Sequence, residues 1–527
     1  MTLSRGSIIL FTIIVGIIAI LMLVADSPLP LLPPLAALAF LSLTRSAGWS
    51  LFTGSLIGVF LLEKKQTFLA PYHWVSEHLL PALTSSWHWS ALLFTLLLAA
   101  FAAIIERSGA LTHLLHSWSQ RGKTSSASRL QVAIVGLGLL CFFDGLANAL
   151  MLGRVGRTLA DQVQVSREKL AYLVDTTSSA VACVAFLSTW SVFQLTLIAT
   201  ELEGSLFQTP AYLLFLQSIP TNFYCLASLL LAFLSARYNW NPPPMGKTSP
   251  LATSQQINQP NSQIQLRTAF GPILILLLSV PLSFWILGGK KLFPTSGKDI
   301  QAAFATDLGP YALLLAGLIS IAGAIFFFPR KKKEAFAAIP NGIKPVAPAL
   351  LVLIMAWTLG STLSELKTGE YLTSLLGENF SITYLPLYTF VLGCLIAFST
   401  GTSWGTMALL MPLAIGTFLS THSEQNLILA ESAPLLPPII AAVFGGAVFG
   451  DHASPFSDTT IVSALACDVT TTDHVATQLP YATLVASCSI LFGYLPIGIG
   501  FSPTIAGIFP LLAIAIIVLL TRRNFSQ

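Results

Sequence analysis

The 527-residue chain is 54% hydrophobic and only 9% charged, with a mean hydropathy of +0.77. Soluble domains carry about 25% charged residues, so the composition excludes a soluble protein, and a net charge of +4 confined to particular loops gives nucleic-acid binding no support. A β-barrel would alternate in segments of about ten residues; runs of about 20 apolar residues predict instead an all-α polytopic membrane protein of about 12–14 transmembrane segments.

In chain order, apolar runs fall near 7–24, 28–43, 49–62 and 90–105. The first follows a single Arg5 and has no small-residue cleavage site, so a transmembrane helix is expected rather than a signal peptide. Basic residues mark cytoplasmic loops, here 107–129 (Arg107, Arg121, Lys123, Arg129) and 153–169 (Arg154, Arg157, Arg167, Lys169). The run 130–152 lies between them, so it enters and leaves on one face, as a re-entrant or broken pair of half-helices would. Asp144 and Asn148 within it are four apart and share a helical face. That face either points into a cavity or caps a half-helix at Gly145. The run 170–200 carries Asp175 and then Thr176, Thr177, Ser178 and Ser179, a polar break in an apolar stretch.

After the run 206–236 comes a stretch rich in Pro, Ser, Gln and Asn (241–266), expected to be a flexible cytoplasmic linker. Apolar runs resume at 269–288 and 306–328, followed by the basic 329–333; Lys290, Lys291 and Lys298 fit no simple outside assignment of 289–299. Beyond the run 345–363, the run 382–419 has acidic loops on both sides (365–378 and 424–431) and so enters and leaves on the outer face. At its middle, Ser399 to Thr406 (STGTSWGT) is either a helix break with free backbone groups or close packing of small residues. The runs 433–465, 479–500 and 501–521 finish the chain.

Opposite flanking charge at 130–152 and 382–419 is the pattern of an inverted repeat. Phe143–Met151 can be laid on Ser399–Met407, and the polar stretch at Asp175 on that at Asp451. The expected organisation is N-terminal helices (1–89), a first repeat (90–236), the linker (237–268), connecting helices (269–344), a second repeat (345–500) and a C-terminal helix and tail (501–527).

The most informative segment is Gly445 to Thr460 (GGAVFGDHASPFSDTT). A carboxylate at the bilayer centre costs about 2.5–3.5 kcal/mol on insertion scales, so Asp451 and Asp458 need a cation, a proton or a water-filled cavity. Pro455 with Gly445, Gly446 and Gly450 predicts a broken helix, and unwound backbone lining a cavity offers carbonyls to a cation. Ser454, Ser457, Thr459 and Thr460 supply neutral oxygens, which hard cations prefer. His452 is either a titrating switch or a residue that orients the carboxylates. His113 and His116 are expected at the interface. Asp468 and Asp473 are expected in a polar loop, with Asp468 or Thr470 as a helix cap. The six cysteines show no CxxC pairing and are expected as buried small hydrophobes. No basic residue stands out inside the core to pair with an anion.

GDHASPFSDTT at 450–460, TGTSWGT at 400–406 and SREKLAYLVDTTSS at 166–179 closely resemble signature stretches of the NhaC-type Na+/H+ antiporter family. The resemblance runs through both halves, roughly 90–500. It implies a secondary antiporter of the bacterial cytoplasmic membrane with cytoplasmic termini, exporting Na+ or Li+ for entering protons, with no cofactor; a homodimer is one assembly open to it. The matching positions are Asp175, Thr402, Ser403, Thr406, Asp451, His452, Ser454, Ser457, Asp458 and Thr459. The chain departs from the pattern at Ala453, where relatives often carry cysteine, and near Ala180, where they carry proline. One acid is also missing from 143–148. The expected site comprises these residues with Thr176, Asp144 and Asn148, and Na+ held by Asp451, Asp458 and Asp175. A proton and Na+ would displace one another there. Two other readings are exchange of small organic acids or amino-acid-like metabolites, which similar sequences also carry out, and an intramembrane hydrolase, which lacks any accompanying GxSxG or HExxH.

Overall fold

This computed structural model describes residues 30–44, 46–63, 67–110, 113–114, 127–203, 205, 209–245, 266–289, 308–329, 332–376, 381–424, 433–455 and 457–525. The expected helix at 7–24, most of the linker, Lys290, Lys291, Lys298, His116 and the loop 425–431 lie outside these residues. The described chain is helical throughout. Among the described residues, nine helices are long and apolar enough to cross a membrane, and a pair bent by 49° would make a tenth.

Two short apolar helices, α1 (Leu32–Thr44) and α2 (Ala47–Leu62), precede a helical segment at 67–84 and the long α3 (Ser86–Ser108). The first unit then runs α4 (Ala127–Leu140), α5 (Gly145–Gln162), α6 (Arg167–Val184), α7 (Thr189–Leu202), and the bent pair α8 (Ala211–Ser218) and α9 (Phe223–Tyr238). Helices α10 (Leu266–Gly288), α11 (Gly309–Phe327), α12 (Lys332–Glu365) and α13 (Thr368–Leu376) connect it to the second unit. That unit runs α14 (Leu385–Thr400), α15 (Ser403–Glu424), α16 (Leu436–Ala453), α17 (Asp458–Cys467) and α18 (Thr471–Cys488), the last continuing through 498 before α19 (Ile508–Phe525).

The two units follow one plan. The breaks expected at 130–152 and 382–419 fall at 141–144 and 401–402. Asp144 caps α5 by accepting from the Ala147 N–H at 2.8 Å, and Thr402 does the same at the start of α15, accepting from the Gly405 N–H at 3.1 Å. Gly401 takes a left-handed φ of 69°, which glycine adopts without steric cost. The shared cap shifts the register of the repeat by two residues from the sequence pairing. Both units also bring the start of the first half-helix against the end of the last helix. In the first, Ser128 Oγ donates to the Ala236 carbonyl at 2.8 Å; in the second, Thr383 Oγ1 donates to the Gly498 carbonyl at 2.9 Å.

Packing between the units is reciprocal. Helix α5 packs on α17 while its counterpart α15 packs on α7, and α6 meets α16 as α9 meets α18. Arg167, beside the α5–α6 turn, reaches Asp161 at 3.1 Å and also binds Asp468 at the α17–α18 turn. A turn of one unit thus meets a non-equivalent turn of the other, as two oppositely oriented repeats require.

Two expectations about helix breaks are corrected. Asp175–Ser179 is not a break but the middle of α6. Its hydroxyls bond back along the helix, Thr177 Oγ1 to the Leu173 carbonyl at 2.8 Å and Ser178 Oγ to the Asp175 carbonyl at 2.8 Å, so the backbone ladder stays closed. The first unit breaks ten residues later at Ala185–Ser188, opposite Ser454–Ser457 in the second. In each break the last residue is a serine in extended conformation opening the next helix. The glycines of α16 do not break it either. A Cβ on Gly446 would lie 2.8 Å from the Phe390 carbonyl oxygen, so Gly446 and Gly450 let α16 lie directly on α14; only Pro455 falls in the break.

Candidate functional site

The site forms where α16 stops. Asp451 and His452 lie in the last turn of α16, Ser454 caps its C-terminus, and Ser457 to Thr460 open α17. Asp451 is fully buried. Its Oδ1 accepts from Ser457 Oγ at 2.7 Å, while its main-chain carbonyl accepts from Thr460 Oγ1. Its Oδ2 is buried without a hydrogen-bond partner, and so is the hydroxyl of Ser403, which stands beside it at the start of α15. Ser457 Oγ also lies 3.2 Å from Thr459 Oγ1. Two breaks, one in each half of the second unit, thus converge on one carboxylate.

Asp458 is the first residue of α17. It is exposed, and its Oδ1 accepts from the Thr459 N–H at 2.8 Å at the start of its own helix. It lies within electrostatic range of Asp451. Asp175 is fully buried on α6, but its oxygens are engaged by Gln478 Nε2 at 2.7 Å and Ser463 Oγ at 3.3 Å, with His474 Nε2 3.4 Å away. Among the described residues no group of three or more His, Cys, Asp or Glu is arranged to hold a metal ion. Asp175, Asp451 and Asp458 lie within electrostatic range of one another.

His452 is held on both sides. Its Nε2 lies 2.8 Å from Ser179 Oγ and its Nδ1 2.9 Å from the Tyr224 hydroxyl, while Gln478 Nε2 donates to its carbonyl at 3.1 Å. Through Ser179 and Gln478, His452 and Asp175 belong to one polar cluster linking α6, α9, α16 and α18. Thr176 is buried with its hydroxyl unpartnered. Thr406 Oγ1 donates to the Thr402 carbonyl at 2.8 Å, within the turn that opens α15.

Asp144 and Asn148 lie in the first unit and not in this cluster. Asp144 is the cap of α5 and also accepts from Thr189 Oγ1 at 3.2 Å, so it ties the two first-unit breaks together. It also lines a cavity of about 410 Å³ with Glu106 and Asn341. Asn148 Nδ2 donates to the Gly138 carbonyl at 3.1 Å and the Thr177 carbonyl at 2.9 Å, binding α5 to α4 and α6.

Sequence reasoning missed Ser463, Gln478, His474, Tyr224 and Lys169. His474 and Gln478 are four apart in the helical stretch DHVATQL (473–479) beyond the expected polar loop, and both point to Asp175; that spacing was the available signal. Lys169 corrects a second expectation. Expected in a basic loop, with no basic residue standing out inside the core, Lys169 is instead 2% exposed inside α6. The cap of α6 is Ser166, which accepts from the Lys169 N–H at 3.2 Å, so helix and burial begin before the lysine. Thr470 caps α18 as expected, accepting from the Asp473 N–H at 3.1 Å. All six cysteines are buried and free.

A family model described as the Na+/H+ antiporter family matches residues 181–499. A Haemophilus influenzae protein of uncharacterised function is 30% identical over 507 residues, 93% of this chain and 94% of its own. An uncharacterised Na+/H+ antiporter of the same organism is 27% identical over 43% of this chain and 42% of its own, and the malate-2H+/Na+-lactate antiporter of Bacillus subtilis is 27% identical over 28% and 29%. Among solved structures, the YdaH transporter of Alcanivorax borkumensis superposes with a TM-score of 0.53 at 17% identity, covering 81% of this chain and 89% of that one, a likeness of fold.

Proposed function

The chain belongs to the Na+/H+ antiporter family, and on that premise we propose that it exchanges Na+ or Li+ for protons across a bacterial cytoplasmic membrane, with Asp451 as the carboxylate both ions share. The observation that carries this reading is the pair of unpartnered buried oxygens, Asp451 Oδ2 and Ser403 Oγ. A buried polar atom without a partner is costly. A hard cation prefers oxygen ligands of this kind, and so the two oxygens suit Na+ as cargo. Ser457 orients the carboxylate through its other oxygen. Asp458, exposed at the start of α17, draws cations toward the pocket. Asp175, His452 and Gln478 form the neighbouring polar cluster through which a change of charge at Asp451 reaches the first unit.

Alternating exposure follows from the repeats. Helices broken at 141–144, 185–188, 401–402 and 454–457 let one half move against the other around a site set between them. Cytoplasmic termini follow from the basic loops.

The test is reconstitution in liposomes with a pH-sensitive dye inside, an imposed proton gradient, and addition of Na+, Li+ or K+. Dequenching with Na+ or Li+ is the expected result. A second reading, exchange of small organic acids, rests on the partial similarity to the malate-lactate antiporter. Lactate and malate added to the same vesicles separate the two: a response to them and silence with the cations would replace the first reading by the second.

A further inference from the structure

Between α6, α9, α16 and α18 lies a cavity of about 10 Å³, the space of a single water, lined by Tyr172, Thr176, Ser228, His452, Gln478 and Tyr481 among others. Three of its lining atoms, Thr176 Oγ1, Ser228 Oγ and Gln478 Oε1, are buried with no hydrogen-bond partner. Two hydroxyls and an amide oxygen give one water the two to four partners it needs in such a space. One wall is His452, and the Nε2 of Gln478 binds Asp175. Its lining also includes the two tyrosines that embrace Lys169.

The Lys169 ammonium lies 5.3 Å from the Tyr172 ring centre and 5.2 Å from that of Tyr481. It donates to Ser235 Oγ on α9, to the Trp240 carbonyl at 2.9 Å and to the Tyr481 hydroxyl on α18 at 3.5 Å. The titratable groups facing it are these two tyrosines; its remaining partners are neutral, and no carboxylate among the described residues pairs with it. The ammonium thus sits between α6, α9 and α18 with no counter-ion among the described residues. It is the third residue of α6, next to the α5–α6 turn.

We propose that the proton and the cation reach the site by different routes, the proton entering through Lys169 and a water held by Thr176, Ser228 and Gln478. Lys169 takes a proton from the surface and passes one through the Tyr481 hydroxyl to the water, which hands one on to the cluster around Asp175. The amine is left neutral and ready to be reprotonated, so no other reactant is consumed. The cation passes Asp458 to reach Asp451. This inference rests on the antiport reading.

The experiment compares two fluxes in the full-length protein reconstituted in liposomes: Na+-driven proton movement, and exchange of labelled Na+ for Na+, which needs no proton. The variants are Lys169→Met, Lys169→Arg and Ser228→Val. The arginine keeps the charge and hydrogen bonds but does not release its proton; the valine fills the cavity without touching Lys169. Each variant is expected to slow Na+-driven proton movement tenfold or more while Na+/Na+ exchange stays within twofold of the parent. Equal loss of both fluxes in Lys169→Arg and Ser228→Val would make these residues structural and overturn the inference, as would unchanged proton movement in both. If the parent protein moved neither ion, the antiport reading itself would fail, a result distinct from either.

Discussion

The Ser457 hydroxyl donates to Oδ1 of Asp451 across 2.7 Å, joining the first turn of α17 to the last turn of α16 over the break between them. The bond fixes one carboxylate oxygen and leaves the other unpartnered beside Ser403. A hydrogen bond to a charged group contributes about 1.5–3 kcal/mol, so Ser457→Ala should raise the half-saturating Na+ concentration about tenfold or more. Initial rates of Na+-driven dye dequenching across a Na+ series measure it. An unchanged half-saturation would show that the bond does not hold the carboxylate for the cation.

The three aspartates should separate by environment. Asp451→Asn removes a fully buried charge at the convergence of two breaks and should abolish exchange. Asp458→Asn alters an exposed residue and should raise the half-saturating Na+ while leaving measurable turnover. Transport assays on both variants at matched membrane expression check the order. Total loss in Asp458→Asn with residual turnover in Asp451→Asn would reverse the assignment.

Close approach of α14 and α16 depends on glycine. A Cβ on Gly450 would come within 2.6 Å of the Ala397 carbonyl carbon and 2.8 Å of its oxygen, and main chain cannot step aside as a flexible side chain can. Overpacking of this kind costs about 1–3 kcal/mol. Gly450→Ala should therefore lower the melting temperature in detergent, whereas Gly500→Ala, which meets nothing within 4 Å, tests only the strain of a positive φ and leaves the helix pair intact.

Buried thiols make a simple check on the packing. All six cysteines are buried and free, so a membrane-impermeant charged maleimide should leave the native protein unlabelled and should label it after denaturation in SDS. Rapid labelling of Cys467 or Cys183 in the native state would place these helices differently.

Much of this architecture was legible in the sequence because charge and turn chemistry act locally. Basic residues on both sides of 130–152 and acidic ones on both sides of 382–419 marked the two broken hairpins. Asp144 before Gly145 offered a helix cap as one of two readings, and the cap is formed. What was hidden depends on contacts distant in sequence. The first-unit break Ala185–Ser188 is apolar apart from its serine and carries no glycine or proline, whereas the polar DTTSS stays helical by bonding to its own carbonyls. Lys169 looked like one more base in a basic loop, because nothing local announces that α9 and α18 will close over it. Gln478 and His474 engage Asp175 from some 300 residues away, a pairing that only folding creates.

The central claim is that a proton and Na+ compete for Asp451. The most direct measurement is proton release on adding Na+ to the purified, detergent-solubilised protein in weakly buffered solution, followed with a pH indicator or by calorimetry in buffers of different ionisation enthalpy. The account predicts that Na+ displaces protons from the parent protein, that K+ at the same ionic strength does not, and that Asp451→Asn releases none. Na+ binding without proton release, or equal release from Asp451→Asn, would contradict it.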